Sequence, residues 1–284
     1  MLRTLSEQPA RTLAEAFTLH GVGLHGGRVA TLRVEPSQRL GLRFAEPGAE
    51  PVPIAAMRLV SGDHASTLAT PKGQLYRGVE HLLAALCGCQ VDAAVLSLEQ
   101  ADEVPILDGS AAPFAERIGA VGLVSLERPR VELHLERAFV VEAHGARYDL
   151  RPAPHLQLEV HLEFGARWGT HPRSFSWDGT AFSTTLAAAR TFTFSDWLDE
   201  LRARDLIRGG SLDNAVVFED GRVLNEGGLR FADEPARHKT LDLLGDLARL
   251  GAPLCASITA HRPGHTANAA LVQRLSQELS SSAL

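Results

Sequence analysis

Cysteine, aromatic residues and long apolar runs are all scarce in this chain. Cys87, Cys89 and Cys255 are the only three cysteines in 284 residues. Their odd number and the CxC spacing, too short for the usual zinc CxxC, argue against a disulfide framework and a zinc ribbon; they read as buried reduced thiols. Nowhere do 18 uncharged apolar residues run together, which excludes a membrane-spanning helix. The opening MLRTLSEQPARTLAEAF lacks the apolar core and small-residue cleavage site of a signal peptide. A cytoplasmic protein without stable membrane insertion is expected. Charge of one sign is not concentrated either: 28 Lys and Arg stand against 34 Asp and Glu, for a net charge of −6. With no block of like charges, the electrostatic footprint of a nucleic-acid binder is missing. Fixed-period repeats are also lacking.

What is present is enough apolar sequence, 45% of the chain, to bury one large core or two ordinary ones. Histidine is the unusual residue, with 12 copies against two tyrosines and two methionines. Position must decide which of them matter.

The first half opens with strand-like alternation. Ala30, Leu32 and Val34 alternate with Thr31, Arg33 and Glu35, and Leu40, Leu42 and Phe44 follow. From Val79 the period lengthens, with Val79, Leu82, Leu83 and Leu86 on one helix face. A short strand, Ala94 to Leu98, comes next. The charged, proline-marked stretch Leu126 to Arg130 reads as the boundary between domains 1–127 and 128–284. Beyond it the order repeats. Leu156 to Phe164 alternates cleanly, a helix is expected around Asp196 to Arg204, and strands near Ala215 to Phe218 and Arg222 to Leu224. A long helix spans Glu234 to Leu250, and a last strand, Cys255 to Ala260, leads through Gly264 into a terminal helix. Strands grouped before helices in each half predict an α+β fold rather than a parallel βαβ sheet.

On the long helix each position rotates by about 100°, so His238, Asp242 and Asp246 drift slowly around one face beside Lys239. A solvated polar stripe is the commoner fate of such a face. Yet a His and an Asp at i, i+4 can offer a ring nitrogen and a carboxylate oxygen to one ion. On the first helix, His81 points away from the leucine face between small residues, free to meet the other half. Three ligands with an open fourth position make a hydrolytic zinc site, and Glu80 beside a ligand is well placed to take a proton from water.

Eight segments occur in an order that matches a known family: Gly21-Val22-Gly23-Leu24-His25, Val79-Glu80-His81-Leu82, Glu103-Val104-Pro105-Ile106-Leu107-Asp108-Gly109-Ser110, Ala189-Arg190-Thr191-Phe192, Gly209-Gly210-Ser211-Leu212-Asp213-Asn214, Asn225-Glu226-Gly227-Gly228-Leu229-Arg230, Arg237-His238-Lys239 and Gly264-His265. Over nearly its whole length the chain resembles the UDP-3-O-acyl-N-acetylglucosamine deacetylases, zinc amidases of bacterial lipid A synthesis. The resemblance implies two similar α+β domains, each a mainly antiparallel sheet with a helical layer, packed helix layer to helix layer around the site. It implies a Zn²⁺ cofactor on His81, His238 and Asp242, with Glu80 as general base and His265 as general acid. Thr191 becomes a hydroxyl donor to the oxyanion, Asp246 a partner of His265, and Lys239 a contact of the nucleotide diphosphate. The insert from about Phe192 to Val217 forms an apolar passage for the acyl chain, with Phe192 and Phe194 as candidate walls. Since His265 begins a helix, whose dipole disfavours an imidazolium, an acid there needs a carboxylate such as Asp246.

The expected partner is therefore a small acylated UDP-amino sugar, and the expected state a monomer. The sequence departs from the family's pattern at Gly78, where a hydroxyl residue is usual, and at Trp197, where relatives often carry an acid. Two alternatives stay open at this point: a zinc deacetylase diverged toward another N-acetylated sugar conjugate, and a non-catalytic nucleotide-sugar-binding homologue. His25, in its glycine loop, reads as structural.

Overall fold

Alternating burial shapes the first half, which runs β1 (Leu2–Leu13), β2 (Phe17–Val22), β3 (Val29–Pro36), β4 (Gly41–Phe44), β5 (Val52–Pro53), β6 (Arg58–Ser61), β7 (Thr67–Ala69), β8 (Leu75–Arg77), α1 (Glu80–Gly88), β9 (Ala93–Glu99) and α2 (Ala112–Val121). The computed structural model describes residues 1–46, 48–61 and 64–281. In β3 the apolar side chains of Ala30, Leu32 and Val34 are buried and Arg33 is exposed, as a strand with one wet face requires. The second half follows as β10 (Leu123–His134), β11 (Phe139–Ala143), β12 (Ala146–Pro152), β13 (Gln157–His161), β14 (Ser174–Trp177), α3 (Phe182–Thr185), β15 (Phe192–Phe194), α4 (Leu198–Ala203), β16 (Val216–Glu219), β17 (Arg222–Val223), α5 (Glu234–Leu247), β18 (Leu254–His261) and α6 (His265–Ser281).

The fold is α+β. Among the described residues a 12-stranded sheet carries the path β11-β12-β18-β10-β1-β9-β3-β2, with β13 and β14 attached through β18 and β4 and β5 through β9. Most neighbours are antiparallel, and parallel pairs occur where β9 meets β1 and β4 and where β18 meets β10 and β13. Two small sheets, β6-β7-β8 and β15-β16-β17, stand apart.

The seam between the halves is the long β1/β10 ladder, which pairs Leu2 with His134 at one end and Leu13 with Leu123 at the other. The charged stretch Leu126 to Arg130, expected as a break between strands, is therefore the middle of β10. Glu127 and Arg128 are exposed there, so their charges mark a wet ribbon face rather than a linker. Pro129 faces Pro9 where the register shifts, because neither residue can donate a ladder hydrogen bond.

Helices meet on one side of this sheet. α5 packs on β13 and β14, α6 on β11, and α1 lies against both α2 and α5. The α1/α5 contact is unusually close, since a Cβ on Gly245 of α5 would lie 2.1 Å from the backbone oxygen of Glu80. Ala84 and Ala85 of α1 are fully buried. The absence of a side chain at Gly245 lets the start of α1, and with it Glu80 and His81, reach α5. Replacing Gly245 with Ala should push the helices apart and destabilise the protein by about 1–3 kcal/mol, the usual range for overpacking. Urea denaturation is the check, and an unchanged midpoint would mean that the helices have room to shift.

Candidate active site

Three side chains from the two facing helices converge on one point. On α5, His238 and Asp242 lie one turn apart, which places His238 Nε2 3.3 Å from Asp242 Oδ1. From α1, His81 Nε2 approaches the same oxygen to 3.6 Å, and the two imidazoles meet edge to face, their centroids 5.1 Å apart. All three residues are buried and their ligand atoms lie within 4.8 Å of one another. Asp242 Oδ1 has no hydrogen bond among the described residues. Burying a carboxylate oxygen in this way is costly unless a cation satisfies it. The second oxygen, Oδ2, accepts from Lys239 Nζ at 2.8 Å.

The protonation states fit a metal centre. Burial pushes the His238 pKa down to about 3, against the pull of Asp242, so its ring is neutral. His238 Nδ1 lies 3.4 Å from the Ala189 carbonyl, which leaves Nε2 to face the cluster as an acceptor. For Asp242, burial favours the neutral acid, but His238, Lys239 and His265 outweigh it and hold the carboxyl well below its ordinary range. Two imidazoles and a carboxylate are a donor set suited to zinc. The Ala189 carbonyl is itself fixed, because the next residue, Arg190, forms a buried ion pair with Glu234 at the start of α5, with Nε to Oε1 at 2.8 Å.

Around this cluster stand a buried carboxyl group and a buried imidazole, Glu80 and His265, and the pKa of each is raised. Glu80 is the first residue of α1, and its Oε2 accepts from the Ser66 backbone N–H at 3.0 Å. Burial raises the Glu80 pKa, offset in part by His265 and His81 and reinforced by Asp242 and Asp246. His265 opens α6, with Nε2 3.8 Å from Glu80 Oε1 and 3.5 Å from Asp242 Oδ2. Its Nδ1 donates to Asp246 Oδ2 at 2.9 Å. Burial works against a charged ring, yet Asp246, Asp242 and Glu80 overcome it and push the His265 pKa up to about 9. Asp246 is held in turn by the Ser66 hydroxyl at 2.5 Å and by Asn268 Nδ2 at 2.8 Å, and Asn268 Oδ1 accepts from the Tyr148 hydroxyl at 2.6 Å.

The structure thus brings Glu80, His81, His238, Asp242, Asp246 and His265 together. Thr191, one residue before β15, borders the same recess, and Lys239 stands at its edge. A cavity of about 300 Å³ adjoins the recess through Thr191, His25 and Leu24, and its walls include Phe192, Trp197, Leu201, Ile207 and Val217. Phe194 does not line it. That ring is buried in an aromatic cluster beneath, 4.8 Å from Trp197 and 5.9 Å from Phe218 between centroids. Gly78 adopts φ +61°, a conformation that favours glycine over a hydroxyl residue.

Several residues of the site lack a clear signal in the sequence. Ser66, which binds both Glu80 and Asp246, sits in a stretch without clear periodicity. His25 lines the recess, and both ring nitrogens are buried without a hydrogen bond among the described residues; burial lowers its pKa, opposed by Glu103. The glycines beside it were a legible signal. A Cβ at Gly23 would lie 2.3 Å from Glu103, and that carboxylate receives the backbone N–H groups of His25 and Gly26, each at 2.7 Å. A glycine loop wrapped on a buried acid is what aims His25 at the recess.

The chain is similar to known proteins over most of its length. The family model described as UDP-3-O-acyl N-acetylglycosamine deacetylase matches residues 10–277. A UDP-3-O-acyl-N-acetylglucosamine deacetylase of Thermosynechococcus vestitus is 38% identical over 276 residues, covering 94% of this chain and 94% of the relative. The protein of the same description from Myxococcus xanthus is 38% identical over 275 residues, covering 93% of this chain and 85% of the relative. That of Brucella melitensis is 35% identical over 271 residues, 93% and 94% of the two chains. With the match running nearly end to end, the chain belongs to the UDP-3-O-acyl N-acetylglycosamine deacetylase family.

Proposed function

We propose that this protein hydrolyses the N-acetyl group of UDP-3-O-(3-hydroxyacyl)-N-acetylglucosamine, giving acetate and the free amine, the committed step of lipid A biosynthesis, with a zinc ion on His81, His238 and Asp242. The observation that supports it most is Asp242 Oδ1, buried without a hydrogen bond between two imidazoles, with a third imidazole 3.5 Å from the other oxygen of the same carboxylate. Zinc bound there would supply the positive charge that polarises the amide carbonyl and eases loss of a proton from water. The remaining work falls to side chains. Glu80 takes the proton from the attacking water, a C–O bond forms as the amide C–N bond breaks, and His265 gives its Nε2 proton to the departing nitrogen. Asp246 keeps His265 charged and its ring oriented. The Thr191 hydroxyl donates to the oxyanion, Lys239 meets the diphosphate, and the cavity walled by Phe192 holds the acyl chain.

In this reading residues 1–127 supply Glu80 and His81, residues 128–284 supply the rest, and the protein works as a cytoplasmic monomer on a small molecule. No helix among the described residues is long and apolar enough to cross a membrane.

The direct test is mass spectrometry of the acylated UDP-sugar after incubation with purified protein, where loss of one acetyl group is expected. Glu80→Gln should retain metal and fold while turnover falls by roughly 10²–10⁴-fold; near-normal turnover with metal bound would assign the base elsewhere. Removing the 3-O-acyl chain should lower kcat/KM strongly, since binding energy in the cavity positions the amide. Equal values for acylated and non-acylated substrates would point instead to another N-acetylated sugar conjugate.

The pH dependence follows from the two environments. An ionised Glu80 and a protonated His265 are both required, so kcat/KM should rise and then fall with pH. Asp246→Asn should move the alkaline limb to lower pH with little change in metal content. The same pairing has a sign in stability. The folded His265 pKa, about 9, lies above its ordinary 6.5, so its stabilisation is complete below about pH 6.5 and disappears as pH rises through about 9. The stability gap between the wild type and Asp246→Asn should shrink over that window. An alkaline limb that stays in place in Asp246→Asn would show that Asp246 does not hold the proton on His265.

A further inference from the structure

A second cluster of metal-ligating side chains lies on the sheet, made of residues that the proposed hydrolysis does not use. Glu132 and His134 stand two apart on β10 and so project from the same face. The parallel register pairs His134 with Cys255 of β18, which brings the thiol beside them. Glu132 Oε2 lies 3.3 Å from His134 Nε2 and 3.9 Å from Cys255 Sγ, and the three ligand atoms fall within 4.8 Å of one another. With zinc-type bond lengths, the edges of a tetrahedron with one S ligand and N or O elsewhere are about 3.3–3.6 Å long; the Oε2–Nε2 separation already matches, and Oε2–Sγ is slightly longer. Cys255 is buried, whereas the side chains of His134 and Glu132 keep 36% and 21% of their exposure, so a cation can enter from solvent. The neighbouring cation, Arg130, is engaged by Asp92 at 2.8 Å.

We propose that Glu132, His134 and Cys255 form a second binding site for a borderline-soft divalent cation of the zinc and cobalt class, with solvent completing its coordination. The sulfur and imidazole ligands select such ions over magnesium and calcium. On binding, the thiol loses its proton to the buffer and a sulfur–metal bond forms, with no change of oxidation state. The ion ties β10, the strand that forms the seam with β1, to β18, the strand that leads into His265.

Cobalt(II) titration of the full-length protein is the test, because a sulfur-to-cobalt charge-transfer band arises only where a thiolate is a ligand. The residues His81, His238 and Asp242 contain no sulfur, so the band reports this site whatever happens at the other. It should appear with wild-type protein, saturate when one cobalt is bound at this site in each chain, vanish in Cys255→Ser and persist in Cys87→Ser and Cys89→Ser. Loss of a residue that merely orients a metal ligand costs 10–100-fold in affinity, so His134→Ala and Glu132→Gln, at partly exposed positions, should each weaken the cobalt affinity by about 10-fold or more. Absence of the band in the wild type, its survival in Cys255→Ser, or unchanged affinity in both His134→Ala and Glu132→Gln would each overturn the proposal.

Discussion

Ionisable side chains carried by two different helices can meet at one point only if the helix backbones come close, and in this protein that approach rests on Gly245. The residue leaves the Glu80 backbone in contact with α5. Glycine in a helix interior costs about 1 kcal/mol relative to alanine, so its place in α5 is explained by the close packing it permits. From this contact follow the reach of His81 toward Asp242 and of Glu80 toward His265. It also follows that the ionisable groups between the helices are buried, which strengthens the interactions among them.

That buried setting makes the electrostatics depend on composition rather than on single pairs. Three carboxylates, three imidazoles and one ammonium share a small volume, and burial disfavours the charged forms of Glu80, His238, Asp242 and His265. The outcomes differ because the neighbours differ. His238, with the Ala189 carbonyl on one side and Asp242 on the other, stays neutral, whereas His265 faces three carboxylates and stays charged. Two histidines with nearly the same burial are thereby fitted for different work, one to present a lone pair and the other to present a proton. The chain Tyr148–Asn268–Asp246–His265 fixes the second of these by satisfying each polar group in turn.

Aromatic residues are few in the sequence but concentrated beside this centre. Phe164, Trp168, Phe192, Phe194, Trp197 and Phe218 form a single packed group, and Phe192 also touches His238 edge to face at 5.9 Å. One rim of the group therefore bounds the His81, His238 and Asp242 cluster while another bounds the cavity. Trp197 is a wall of that cavity and packs on Phe194, so its ring serves as apolar surface.

Local pattern was enough to determine part of this. The helical period puts His238 and Asp242 on one face, adjacency puts Glu80 beside His81, and alternation in Ala30 to Val34 and Leu156 to Phe164 makes strands, because each rests on geometry repeated within a few residues. The ordered motifs added the family and, through it, His265, Thr191 and Asp246. Tertiary structure decided the rest. β1 and the middle of β10 carry exposed charges and prolines and become strands only by pairing with each other across the length of the first half. Ser66 and His25 enter the site because a loop crosses α1 and a glycine turn closes on Glu103, contacts made between residues distant in the chain. Phe192 and Phe194 show the limit most simply. Two positions apart on a short strand, they have the same sequence character and both pack on Trp168 and Phe218, yet tertiary packing leaves Phe192 on the cavity wall and buries Phe194 against Trp197.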